Sequence, residues 1–184
     1  MLEFNDIITW IAFGLCVLSG FHKNRKVVLG GSLAAFILMT YIFYVEGAAA
    51  AVATSAICAL CTLINIAIPQ SKLEATFRLR LALVAVLCVV AGCFTVRGFL
   101  ELLPFISMLI ARGGETLKSA QHVRYGYACG GVIWLTYVAA LGNPLILALE
   151  AVKWAFVAVA IGKFEWQRAA EKAAAPTTKT AQTA

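Results

Sequence analysis

The chain has 184 residues, of which 62% are hydrophobic and 13% charged, with a mean hydropathy of +0.88 and a formal net charge of +6. A soluble domain is about 45–50% apolar and about 25% charged. The composition therefore excludes a soluble globular fold and predicts an integral membrane protein, with the lipid bilayer as its first partner.

The N-terminus, Met1-Leu2-Glu3-Phe4-Asn5-Asp6, carries two acids and no Lys or Arg. It lacks the basic region of a cleaved signal peptide, so the first apolar run is expected to stay as a helix. Apolar runs bounded by charges fall at 7–21, 27–45, 47–68, 81–96, 98–111, 125–141 and 144–161. A helix needs about 17–25 residues to cross a bilayer, so three of these runs need flanking residues to reach across. Only Arg97 separates the fourth run from the fifth. Merged, they would form a helix of about 46 Å at about 1.5 Å per residue, too long for a hydrocarbon core of about 30 Å, and Pro104 would interrupt it. Two helices with a tight turn at Val96-Arg97-Gly98 are expected instead. From Ala173 to Ala184 the chain turns to Ala, Thr, Lys and Gln with one Pro, which reads as a disordered tail.

Lys and Arg concentrate on the cytoplasmic side of membrane proteins. With seven spans and the N-terminus outside, the cytoplasmic segments hold Lys23, Arg25 and Lys26; Lys72, Arg78 and Arg80; Arg112, Lys118 and Arg124; and Lys163, Arg168, Lys172 and Lys179. That is thirteen of the 15 cations, with Arg97 outside and Lys153 within the last span. The same count puts the C-terminus in the cytoplasm. Spans one to three and five to seven share a plan of helix, basic loop, helix, short outer turn, helix. A shift of 96 residues puts Thr40-Tyr41 on Thr136-Tyr137. The expected fold is thus an all-α polytopic membrane protein, one domain over 1–172. It comprises two parallel three-helix repeats, about 7–68 and 98–162, joined by a linker helix at about 81–96, a 3-1-3 arrangement that resembles the SWEET and PQ-loop class. Transporters built from parallel repeats bind substrate near the midplane between them. Three-span repeats can complete a bundle within one chain or in a homo-oligomer.

Glu150 and Lys153 lie in the last span, near the bilayer midplane, where an isolated charge costs about 2.5–3.5 kcal/mol on insertion scales. At i and i+3 they can pair, either to fix packing or to form a site for a proton or a charged solute. Trp154 and Asn143 extend that face. Span three presents Thr54, Cys58, Cys61 and Asn65 on one helical stripe, and Trp134 and Tyr137 share a face of span six. Tyr41 and Tyr44 read as interface anchors. The six cysteines lie in apolar runs and read as small packing residues, Cys58-x-x-Cys61 included, because no basic neighbour stabilises a thiolate. His22 and His122 read as solvated. No P-loop, nucleotide fingerprint, zinc motif or catalytic triad is present, so neither an enzyme nor a cofactor or metal is expected. Dispersed basic residues exclude a nucleic-acid partner.

The segment Glu101-Leu102-Leu103-Pro104-Phe105-Ile106, with Arg124, Trp134, Glu150 and the short loop Lys23-Asn24-Arg25-Lys26, resembles the YgjV-type bacterial inner-membrane proteins. The resemblance runs from about Gly14 to Arg168 and implies an inner-membrane location and seven spans. It departs from the family pattern in having Cys58 where the family has an Arg, and Lys153 where the family has an uncharged residue. Two functions follow. One is a small-solute transporter whose midplane site is built from Glu150, Lys153, Trp154, Asn65, Trp134, Thr54 and Cys58, with Glu150 available for proton coupling. The other is a non-catalytic membrane subunit or scaffold whose charge pair is structural.

Overall fold

The computed structural model describes residues 4–117 and 119–174. Seven α-helices make up the described chain: α1 (Phe4–Gly20), α2 (Arg25–Val45), α3 (Ala49–Ala67), α4 (Phe77–Thr95), α5 (Leu103–Glu115), α6 (Ala120–Leu141) and α7 (Pro144–Ala174). Among the described residues, four segments are long and apolar enough to cross a membrane, namely Arg25–Val45, Ala49–Ala67, Phe77–Thr95 and Pro144–Ala170. Helix α1, with 17 residues, is a shorter apolar helix, and α5 has 13. Helix α7 continues through Ala174, two residues into the segment read as a tail. The rest of that segment and Lys118 lie outside the described residues.

Local chemistry sets the boundaries. Asn24 caps α2, its Oδ1 accepting from Lys26 N at 2.9 Å, and Ser119 caps α6 by accepting from Gln121 N at 3.2 Å. The chain breaks between α4 and α5 as the lone Arg97 and Pro104 predict. Val96 is extended, a short 3-10 turn spans Phe99–Leu102, and Pro104 sits in the first turn of α5, where its missing N–H costs nothing. Gly47 and Gly142 have φ of 70° and 75°, left-handed values that turn the chain after α2 and after α6. Asn143 then starts α7, its Oδ1 accepting from Leu145 N and Ile146 N. Its Nδ2 donates to Glu46 Oε1 at 2.6 Å, which ties the two glycine turns together.

Helix α1 packs on α2 and α7, α2 on α3, α3 on α5, α5 on α6, and α6 on α7. These six close into a ring, with α4 outside against α3 and α5. Helix α4 turns Leu79, Val86, Val89 and Phe94 outward, apolar side chains suited to lipid. The basic connections α1–α2, α3–α4 and α5–α6 lie at one end of the ring, here termed the basic end. At the other end Ile42, Phe43, Ala51, Tyr137, Val138 and Ile146 form one buried cluster, and Phe43 meets Trp134 edge to face at 5.6 Å. Val28, Leu29 and Val123 form another at the basic end. A third, between α3, α4 and α5, contains Cys58, Cys61 and Cys88, so these thiols serve as small packing groups.

Helices α5 and α6 approach closely enough to require glycine. A Cβ on Gly126 would lie 2.9 Å from Ala111 O, and one on Gly130 would lie 2.6 Å from Ser107 O. Such small-residue contacts replace the hydrophobic drive that lipid cannot supply. Gly126→Ala is therefore expected to lower the melting temperature in detergent by about 3–10 °C, an overpacking cost of about 1–3 kcal/mol in a chain of this size. Gly113→Ala, whose Cβ meets nothing within 4 Å, is expected to leave it unchanged.

Candidate functional site

A cavity of about 140 Å³ lies inside the ring, lined by residues from all six ring helices and by none from α4. Helix α7 brings Glu150, Lys153 and Trp154 to it, α3 brings Thr54 and Cys58, and α6 brings Trp134. Six of the seven residues expected from sequence are thus gathered around one space. Phe43 and Ile146 of the cluster at the turn end, and Val28 of the cluster at the basic end, also line it. The cavity therefore lies between the two apolar clusters.

Each of these side chains has a defined setting. Lys153 Nζ donates to Glu150 Oε2 across one helical turn, so this pair neutralises itself as its spacing predicts. Trp154 Nε1 donates to Ala128 O at 2.8 Å, and its ring lies against Gly131, where a Cβ would be 2.8 Å away. Trp134 is held between Phe43 and Tyr137, each ring centre 5.6 Å from its own. Thr54 turns its hydroxyl back to Ala50 O and Ala51 O. Tyr41 and Tyr44 are exposed on α2, compatible with interface anchors. His22 Nδ1 accepts from Asn24 N.

Asn65 does not reach the cavity. The stripe Thr54, Cys58, Cys61, Asn65 is buried along α3, but Thr54 and Cys58 line the cavity while Asn65 meets Arg80 of α4 and Glu115 of α5. Asn65 Nδ2 donates to Glu115 Oε2, its Oδ1 accepts from Arg80 Nη1, and its carbonyl accepts from Arg25 Nη1. The residue is a junction in a buried polar network.

That network is what sequence reading missed. Four arginines assigned to basic loops are buried inside the protein: Arg25, Arg80, Arg112 and Arg124. Arg25 Nε and Nη2 donate to Leu117 O and Glu115 O, beyond and at the end of α5. Arg124 Nε and Nη2 donate to Gly20 O and His22 O, at and beyond the end of α1. Arg80 Nη2 donates to Leu73 O and Thr116 O. Carbonyls at helix ends have no partner within their helix, and each guanidinium supplies several donors to them.

Arg112 differs from the other three. Helix α5 runs to Glu115 and not to Ala111, which places Arg112 on the cavity wall with 0% exposure. Its Nη1 meets Glu115 Oε1 at 2.6 Å and also donates to Thr62 Oγ1. Glu115, equally buried, accepts further from Thr62, Asn65 and the Tyr127 hydroxyl. Phe36 and Tyr127 lie over the Arg112 guanidinium at 4.8 and 5.6 Å. Nε and Nη2 have no hydrogen-bond partner. The signal was in the sequence: Met108, Arg112 and Glu115 continue the inward stripe of α5 at i, i+4 and i+7. Among the described residues no group of three His, Cys, Asp or Glu side chains gathers as a metal site would require.

Removing one partner of a buried pair leaves the other charge uncompensated at about 3–5 kcal/mol, whereas losing one hydrogen bond to a charged group costs about 1.5–3 kcal/mol. Thermal unfolding in detergent is therefore expected to rank Glu115→Gln as more destabilising than Tyr127→Phe. The replacement Arg112→Met with Glu115→Leu is expected to recover part of the Glu115→Gln loss. Equal melting temperatures for Glu115→Gln and the unmutated chain would contradict a stabilising pair at Arg112 and Glu115.

No curated protein and no solved structure matches the chain. The sequence profile of the Imp-YgjV family, bacterial inner membrane protein, matches residues 3–168, nearly the whole described chain. The resemblance read from Glu101–Ile106, Arg124, Trp134 and Glu150 is thus the family itself, and the chain belongs to the Imp-YgjV family of bacterial inner membrane proteins.

Proposed function

We propose that this chain is a small-solute carrier of the bacterial inner membrane, with all seven helices spanning the bilayer, the N-terminus outside and the C-terminus in the cytoplasm. The observation that carries the reading is the cavity, lined by all six ring helices, with Arg112, Arg124 and the Glu150–Lys153 pair among its lining residues. Ionisable groups within membrane helices mark solute or proton pathways by default, and Glu150 is available to couple transport to protons.

A repeat supports the same reading. The cluster at the turn end consists of three pairs separated by 95 residues: Ile42 with Tyr137, Phe43 with Val138, and Ala51 with Ile146. Val28 and Val123 at the basic end, and the positive-φ pair Gly47 and Gly142, share that separation. The register is one residue shorter than the 96 suggested by Thr40-Tyr41 and Thr136-Tyr137. The two arginine clamps are reciprocal as well, since Arg25 of α2 holds the end of α5 while Arg124 of α6 holds the end of α1. Repeats α1–α3 and α5–α7, with α4 as linker, would rock about a cavity between them.

The scaffold reading has one observation in its favour, the closure of Lys153 on Glu150. Thermal stability of the purified protein, screened against amino acids, amines, sugars and small acids, separates the two. A ligand of the folded state adds about 2.7 kcal/mol at a hundredfold excess over Kd. The carrier reading expects a stabilising solute whose effect is lost when Glu150→Gln and Lys153→Met are combined, a neutral replacement that keeps the fold. No response to any solute, with a partner protein co-purifying in fixed ratio, supports the scaffold instead.

A further inference from the structure

Residues 95 apart in the chain meet again on the cavity wall. Phe13 and Met108, Met39 and Trp134, Ser55 and Glu150, and Cys58 and Lys153 are four such pairs, and both members of each line the cavity. Ser55 and Glu150 stand equally far into their helices, α3 from Ala49 and α7 from Pro144, so they sit at one depth, about 9 Å from the turn end. Lys153 is within electrostatic reach of Cys16 on α1 and Cys58 on α3, so the Glu150–Lys153 pair faces those helices across the space.

Most polar groups on the wall are already bonded. Thr9, Ser32, Thr54, Ser107 and Trp154 donate to backbone carbonyls. Arg112 Nε and Nη2 have neither partner nor surface, so they add charge to the cavity and no contact. Lys153 differs, because it bonds Glu150 with its side chain 28% exposed and has two further N–H donors. Among the described residues nothing bonds Ser55 Oγ or Trp134 Nε1, and neither atom is sealed as those of Arg112 are. Phe13, Phe36, Met39 and Met108 leave much of the remaining wall apolar.

Charge selects among solutes. Arg112, Arg124 and Lys153 line the cavity, against Glu150 on the wall and Glu115 bonded to Arg112. Arg124 bonds neutral acceptors, namely Gly20 O, His22 O and Gln121 Oε1. Glu165, bonded to the amide nitrogen of Gln121, is itself paired with Arg168 at 3.5 Å. One positive charge is therefore left over, and Arg25 and Arg80, which bond Asn65 beside Glu115, add to the excess. In a poorly solvated interior a monoanion cancels one charge, a zwitterion cancels none and a cation deepens the imbalance. A sugar would bury more hydroxyls than so apolar a wall can bond. At about 10–15 Å³ per water-sized sphere, about 140 Å³ has room on the order of ten waters, so the solute is small.

We infer that the cavity takes a small monocarboxylate, its carboxylate held by Lys153 and the Ser55 hydroxyl and its apolar body lying among Phe13, Phe36, Met39 and Met108. This assignment rests on the carrier reading and names the substrate class of that same cavity. Trp134 and Trp154, both on the cavity wall, report occupancy by fluorescence.

The test uses the full chain in detergent or nanodiscs at neutral pH, read by tryptophan fluorescence and melting temperature. The probes are propionate, 4-methylpentanoate and 3-phenylpropionate, the amide and the amine built on each of these bodies, the amino acids L-alanine, L-leucine and L-phenylalanine, and glucose. At least one acid is expected to bind, with its amide, its amine and its amino acid weaker about tenfold or more, the scale of one lost charged hydrogen bond. Glu150→Gln combined with Lys153→Gln, a neutral replacement, is expected to abolish the preference of acid over amide. Ser55→Ala is expected to weaken the acid about threefold or more and to leave the melting temperature of the empty protein unchanged, since that hydroxyl holds nothing there. Should the double replacement fail to fold, the acid, amide and amine comparison on the unmutated chain decides alone. An amide or amine that binds as well as its acid overturns the assignment, as does an acid that keeps its full affinity in both variants. An amino acid or glucose that binds where the acids do not also overturns it, although the carrier reading then stands. No response to any of these probes overturns both.

Discussion

The arrangement depends on where a carboxylate can be buried. Glu115 has 0% exposure and takes donors from Arg112, Thr62, Asn65 and Tyr127, which come from α5, α3 and α6. In hydrocarbon an unmatched charge is expensive, so these three helices must keep the positions that supply its partners. Arg25 and Arg80 extend the same network to Asn65 and to the carbonyls that follow α5. Helix α5, only 13 residues long, is thereby fixed to the basic end by polar bonds and to α6 by glycine contacts.

The two ends of the cavity are closed by different chemistry. At the turn end the closure is an apolar cluster with one exposed hydrogen bond, Asn143 Nδ2 to Glu46 Oε1. At the basic end a small apolar cluster is reinforced by Arg25 and Arg124, each bonding two carbonyls, one at and one just beyond the end of a helix in the other half of the chain. Apolar contacts part without leaving a charge unmatched, whereas the arginine clamps must exchange each bond for another or for water. On the proposed carrier reading, opening at the turn end would slide apolar side chains, and opening at the basic end would release carbonyls.

Much of this was legible in the residues. Apolar runs between charges located all seven helices, the lone Arg97 and Pro104 located the break between α4 and α5, and the i, i+3 spacing paired Glu150 with Lys153. Two things were not. Charges near helix ends read as loop residues, since hydropathy cannot tell an arginine that faces water from one that folds inward to cap another helix. Arg25, Arg80 and Arg124 are of the second kind, and Arg112 folds inward to pair with Glu115. Asn65 shares a face of α3 with Thr54 and Cys58, but one helical stripe can pass from a cavity into a packed interface. Only the packing of α4 and α5 around Asn65 shows where that happens.

The central claim is that the ring holds a solute cavity which each side of the membrane reaches in turn. Cys16, on the cavity wall, measures this directly once Cys58, Cys61, Cys88, Cys93 and Cys129 are replaced by alanine. A charged, membrane-impermeant thiosulfonate reagent is applied to right-side-out and then to inside-out vesicles, and modification of Cys16 is followed. The account predicts modification from both faces, slowed by a bound solute. Modification from one face only, or from neither, would contradict it.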